Sequence, residues 1–115
     1  MQEDNKHLSE GDNFIRQKHI DYLLALEDSK DLYSIGKYLT EHLKVAGGYW
    51  SLTGLAALRY PLAQEKIDFL VKWLKTCQNS DGGFGGNVRH DSHILSTHYA
   101  VLTLLGFGKV DEIDR

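Results

Sequence analysis

Cys77-Gln78-Asn79-Ser80-Asp81-Gly82-Gly83-Phe84-Gly85-Gly86 crowds four glycines around one aromatic. An amphipathic segment precedes it. His90-Asp91-Ser92-His93 follows and leads into a nearly all-apolar segment. Glycines at this density mark backbone that turns sharply or takes a positive φ, where a side chain would clash. The stretch therefore predicts a tight link between two helices. A helix–glycine turn–helix unit is what one repeat of an array looks like.

The rest of the chain alternates in texture. From Phe14 a helical spacing runs through Ile15, Ile20, Leu23, Leu24 and Leu26. Ser29, whose hydroxyl accepts from a free helix N–H, predicts the start of a second helix with Leu32, Ile35, Gly36, Leu39 and Leu43 on one face. Gly47-Gly48 reads as a break. Residues 49–58 then carry Tyr49, Trp50, Leu52, Leu55, Ala56, Ala57 and Leu58 nearly all round, the texture of a helix buried on most sides. Tyr60-Pro61 stops it, because Pro61 disfavours helical backbone at the residue before it. Residues 64–78 are amphipathic again: Ile67, Leu70, Val71, Leu74 and Cys77 form one stripe, and Glu65, Lys66, Asp68, Lys72 and Lys75 take the other. Residues 93–105 return to apolar character, closed by Gly106 and Gly108.

Surface helix, buried helix, surface helix, buried helix predicts an all-α fold in two concentric layers. Repeats of this kind bury their apolar faces against neighbouring repeats, and three or more are needed. Two hairpins fall short of that, and Asp111 or Asp114 reads as the start of another outer helix. The chain is therefore expected to be a piece of a longer protein, with residues 1–12 a flexible tail and 13–115 folded.

Composition narrows the function classes. A net charge of -3 argues against a nucleic-acid or anionic-membrane surface. The single cysteine, Cys77, excludes an internal disulfide and suits a reducing compartment. The polar, acidic start is unlike a signal or transit peptide, and the longest apolar stretch, 45–58, is too short and glycine-interrupted to span a bilayer. A soluble cytoplasmic protein is expected.

Cys77-Gln78, the Asp81-to-Gly86 loop, His90-Asp91-Ser92-His93, Thr97 and Ala100-Val101 together resemble the repeat of protein prenyltransferase β subunits, most closely the Rab (type II) geranylgeranyltransferase β subunit. Lys18-His19, Asp21-Tyr22, Gly47, Tyr49-Trp50 and Leu52-Thr53 resemble that family's amino-terminal segment in order and spacing. The resemblance covers roughly 14–115. It implies part of an α/α toroid whose central funnel holds geranylgeranyl diphosphate. It also implies a separate α subunit, Rab GTPases presented by an escort protein as substrates, and Zn²⁺ in the full-length enzyme. The family's zinc ligands (an aspartate, a nearby cysteine and a later histidine) and its diphosphate-binding side chains lie in the carboxy-terminal half. None has a matching position in this sequence, so no catalytic or metal residue is assigned in it.

Four residues are expected to line the lipid pocket. Ala46 resembles the family's chain-length gate, where a small residue leaves room for the longer geranylgeranyl chain; its other reading is a small residue tolerated beside Gly47-Gly48. Tyr49 and Trp50 line the funnel or are core aromatics. His98 either faces the funnel or is turned between helices and hydrogen-bonded. His90, Asp91 and His93 invite a metal reading, but no fourth ligand is nearby, and Asp91 and Ser92 fit helix-capping better. Cys77 reads as a buried small hydrophobe. The glycine loop lacks the Lys-Ser/Thr of a phosphate-binding P-loop and follows a helix, so turn geometry explains it.

The expected function is the amino-terminal portion of a Rab geranylgeranyltransferase β subunit. The alternatives are the β subunit of a farnesyl- or type I geranylgeranyltransferase and a truncated, non-catalytic helical scaffold.

Overall fold

Apolar side chains recurring at three- and four-residue spacings build a helical chain. The computed structural model describes residues 15–28 and 40–114. Helix α1 (Arg16–Asp28) is followed by a 3-10 turn (Glu41–Leu43), then α2 (Lys44–Ala57), α3 (Gln64–Thr76), α4 (Ile94–Gly106) and a second 3-10 turn (Val110–Glu112). The tail at 1–12 and most of the helix expected from Ser29 lie outside the described residues. Leu43, expected on that helix's apolar face, lies in the first 3-10 turn and is exposed.

The core joins three helices through the glycine loop. Val45 of α2, Val71 and Leu74 of α3, Cys77 and Phe84 of the loop, and Ala100 and Leu104 of α4 form one buried cluster. The most extensive helix pairing is α2 with α4, and α1 lies against α2. Arg16 of α1 fastens that contact, its Nε donating to the Leu58 carbonyl at 2.8 Å. The α3 stripe buries Val71, Leu74 and Cys77 as its periodicity predicts. Lys72 and Lys75 face solvent, Lys75 pairing with Glu112 at 2.9 Å.

Both apolar helices end in the same device. The Arg59 N–H donates to Ala56 and the Tyr60 N–H to Leu55; the Gly108 N–H donates to Leu105 and the Lys109 N–H to Leu104. Each is a Schellman motif with a left-handed residue after the cap: Arg59 at φ 55° and Gly108 at φ 68°. Pro61 lies beyond the point where α2 has already ended.

Several expectations need correction. Gly47-Gly48 does not break the chain: α2 runs through both from Lys44, and neither takes a positive φ. Glycine's weak helix propensity costs about 1 kcal/mol per residue. Burial of Val45, Ala46 and Leu55 on the same helix outweighs it. The outer helix ends at Thr76, because Gln78 turns into a bridge with Phe84. Asp111 lies within the second 3-10 turn rather than at the start of a helix; a helix starting at Asp114, whose backbone Gln78 holds, would lie outside the described residues. Helix α4 is covered on one side rather than on most, whereas α2 lies between α1 and α4 and buries Val45, Ala46 and Leu55 on different sides. In α4, Ser96, Ala100, Thr103 and Leu104 point inward, while Ile94 is 77% exposed. An all-apolar helix buries as many sides as it has neighbours, and the described elements give α4 neighbours on one side.

Candidate functional site

Ala46, Tyr49 and Trp50 fall at i, i+3 and i+4 of α2, a spacing that places them along one face. Helix α4 packs beside it and brings Tyr99 to that face. The Tyr49 and Tyr99 rings stack, with centroids 5.1 Å apart and planes 30° from parallel. Trp50 meets the same Tyr99 ring edge-on at 5.7 Å and 75°. His98, the adjacent residue, tilts against it at 5.5 Å. Three of the four expected pocket residues thus surround one side chain that the sequence reading counted as part of the apolar helix. Ala46 shares the α2 face but is itself buried.

Trp50 is 53% exposed, so it is not a core aromatic here. His98 is exposed too, not turned between helices. The reason is geometric: two residues along a helix from both Ser96 and Ala100, it sits about 200° round from those buried positions. The space behind Tyr49 is nearly filled. Val45, Gly48, Leu52, Leu70, Trp73, Leu74 and Thr103 close with it around about 10 Å³, room for at most one water. Among the described residues, the aromatic face is an open wall. A larger, mixed-charge depression of about 470 Å³ lies elsewhere, between α3 and the second 3-10 turn, lined by Asp68, Lys72, Lys75, Lys109 and Glu112.

The glycine loop sets where α4 begins. The Gly85 N–H donates to Cys77 at 3.0 Å, the His93 N–H to Phe84 at 3.0 Å, and the Phe84 N–H to Thr97 Oγ1 at 3.0 Å. The Val45 N–H donates to the Gly86 carbonyl at 3.0 Å, tying α2 to the same loop. Asn79 Nδ2 donates to the His90 carbonyl and to Ser92 Oγ. Asp81 Oδ1 accepts from Ser92 Oγ at 2.7 Å and from the Gly83 N–H at 2.9 Å. These bonds, the Ser92 hydroxyl foremost, hold the Asp81 carboxyl below its ordinary range.

Ser92 is therefore a loop clamp, and the cap of α4 is His93, whose Nδ1 accepts from the Leu95 N–H at 3.2 Å. That corrects the capping role expected of Asp91 and Ser92. Cys77 is 1% exposed, and burial pushes its thiol up to about 11, as suits a small hydrophobe. Among the described residues, no three His, Cys, Asp or Glu side chains are grouped to hold a metal ion. Nor is any helix among them long and apolar enough to cross a membrane.

A family model for the prenyltransferase alpha-alpha toroid domain matches residues 14–115, nearly the whole chain. The chain belongs to the prenyltransferase α/α-toroid family. It is 39% identical over 97 residues to a probable geranylgeranyl transferase type-2 subunit beta of Dictyostelium discoideum, covering 83% of this chain and 27% of the relative. It is 40% identical over 90 residues to geranylgeranyl transferase type-2 subunit beta 1 of Arabidopsis thaliana, covering 78% and 27%. The Saccharomyces cerevisiae type-2 subunit beta is 33% identical over 101 residues, covering 88% and 30%. The chain thus spans less than a third of the length of these curated relatives. The zinc ion that the resemblance implies does not fit the described residues, which group no ligand set.

Proposed function

We propose that this chain supplies the amino-terminal portion of a Rab geranylgeranyltransferase β subunit, working in the cytoplasm. The whole enzyme transfers geranylgeranyl from its diphosphate to carboxy-terminal cysteines of Rab GTPases presented by an escort protein, with an α subunit as partner. The bond from the lipid's first carbon to the diphosphate oxygen breaks, a carbon–sulfur bond forms, and the thiol proton is lost. Zn²⁺ and its ligands belong to the full-length enzyme and lie outside these residues.

The observation that carries the reading is the shared identity of 33–40% with relatives named as type-2 beta subunits. The geometry is consistent with a lipid-binding share of the work. Tyr49, Trp50, Tyr99 and His98 present an aromatic wall from two inner-layer helices, the kind of surface that suits an unsaturated, apolar chain. Ala46, one turn before Tyr49 and Trp50, would leave room for the longer lipid. The test is turnover by the native product carrying this sequence, purified with its copurifying subunit. Transfer of geranylgeranyl in preference to farnesyl to a Rab–escort complex is expected. Preference for farnesyl, or transfer to neither, would overturn the reading.

A further inference from the structure

We infer that Gln78 is a latch: its side-chain amide joins the glycine loop to the segment that leaves α4, and the two open as one unit. Gln78 stands just past the end of α3, in a backbone bridge with Phe84 of the loop. Its Nε2 donates to the Gly82 carbonyl at 3.1 Å and to the Asp114 carbonyl at 2.9 Å, and its Oε1 accepts from the Asp114 N–H at 3.1 Å. One side chain thus pairs with both backbone groups of Asp114, as a residue opposite in an antiparallel ladder does, while its other amide hydrogen reaches the turn. A carboxylate in its place has no donor, and an apolar side chain has neither donor nor acceptor.

The other ties of the exit segment do not set its position in this way. The Lys75–Glu112 ion pair is exposed on both sides, and such pairs contribute little. Phe107 and Ile113 pack against the core, a contact without direction. The loop also fixes the start of α4, through the His93 N–H to the Phe84 carbonyl and the Phe84 N–H to Thr97 Oγ1. With the latch, one loop governs both where the chain enters α4 and where it goes on leaving. A disturbance of the loop therefore reaches residues 107–114, and reaches them through Gln78.

Hydrogen exchange read by mass spectrometry on the native product carrying this sequence tests the latch. Gln78→Met keeps the length of the side chain and removes its bonds to Gly82 and Asp114. Peptides over the turn (79–83) and the exit segment (107–114) should both exchange about tenfold faster, and those of α2 less than about twofold. Asp81→Ala loosens the loop from the other side, by removing the acceptor for Ser92 and Gly83. It should speed exchange of 107–114 about threefold in the otherwise wild-type protein and not at all beside Gln78→Met, because the path is already cut. A merely local stabilising role gives no such dependence. If Gln78→Met fails to fold, Gln78→Glu takes its place: it keeps the acceptor for the Asp114 N–H and sets a carboxylate against two carbonyls, so both peptides should again exchange faster. Faster exchange of the turn alone, of neither peptide, or an Asp81→Ala effect on 107–114 that survives loss of the Gln78 amide would overturn the latch.

Discussion

Replacing Gly86 by alanine tests how the loop holds the fold. A Cβ at Gly86 would sit 1.6 Å from the His42 carbonyl oxygen, about half of the 3.0 Å below which such contacts essentially never occur. The obstacle is backbone, so no side-chain rotation relieves it. The loop and the turn before α2 must separate, which breaks the Val45 N–H to Gly86 carbonyl bond. Overpacking of this kind costs about 1–3 kcal/mol, and a buried polar group left without its partner adds about 1–3 kcal/mol, giving about 2–6 kcal/mol together. With a urea slope of about 1–3 kcal/mol per molar, the unfolding midpoint should fall by about 2 M. Gly47→Ala is the paired control. It lies inside α2 with nothing within 4 Å of the added carbon, so it should stabilise the chain by about 0.5–1 kcal/mol. Urea titrations followed by far-UV circular dichroism measure both. A neutral Gly86→Ala refutes the close approach, and a destabilising Gly47→Ala refutes a helix running through the glycine pair.

Phe84, 1% exposed at the centre of the cluster, should lose about 3–5 kcal/mol when cut to alanine, read from the same titration. Asp81 gives the loop a pH dependence. Its folded carboxyl is held below its unfolded value, so its contribution is present above the ordinary carboxylate range and fades as pH falls through the folded value. Asp81→Ala should flatten that acid limb in unfolding curves taken across pH, and an unchanged limb would show that the clamp adds nothing. Cys77 acts in the opposite direction. With its folded thiol pushed up to about 11, the unfolded thiol loses its proton first and stability declines as pH rises past the ordinary thiol range. At neutral pH a thiol reagent should label Cys77 only as fast as the chain opens. Rapid labelling of the folded protein would contradict its burial.

Periodicity carried the buried stripe of the amphipathic helix. The α3 stripe of Val71, Leu74 and Cys77 is buried as its spacing predicts, because a strong contrast between two helix faces survives any arrangement of neighbours. The glycine-rich run identified a turn between helices, and the motif on its flanks was enough to identify the family. Gly47-Gly48 misled, since local propensity cannot register the burial of Val45, Ala46 and Leu55 that holds α2 together. The cap at His93 escaped because capping preference names residue types, whereas Ser92 was already committed to Asp81 across the loop.

Sequence by itself determined that this is an all-α member of a toroid family, with its turn at residues 77–86 and apolar helical stretches at 49–58 and 93–105. A motif and a repeat period are local properties, legible along one strand of text. Tertiary structure decided that Tyr99 joins Tyr49, Trp50 and His98, that His98 faces outward, and that Gly86 lies against the His42 carbonyl. Those are meetings between segments distant in the chain or matters of helix phase. They depend on how two helices and a loop pack, which no single segment encodes.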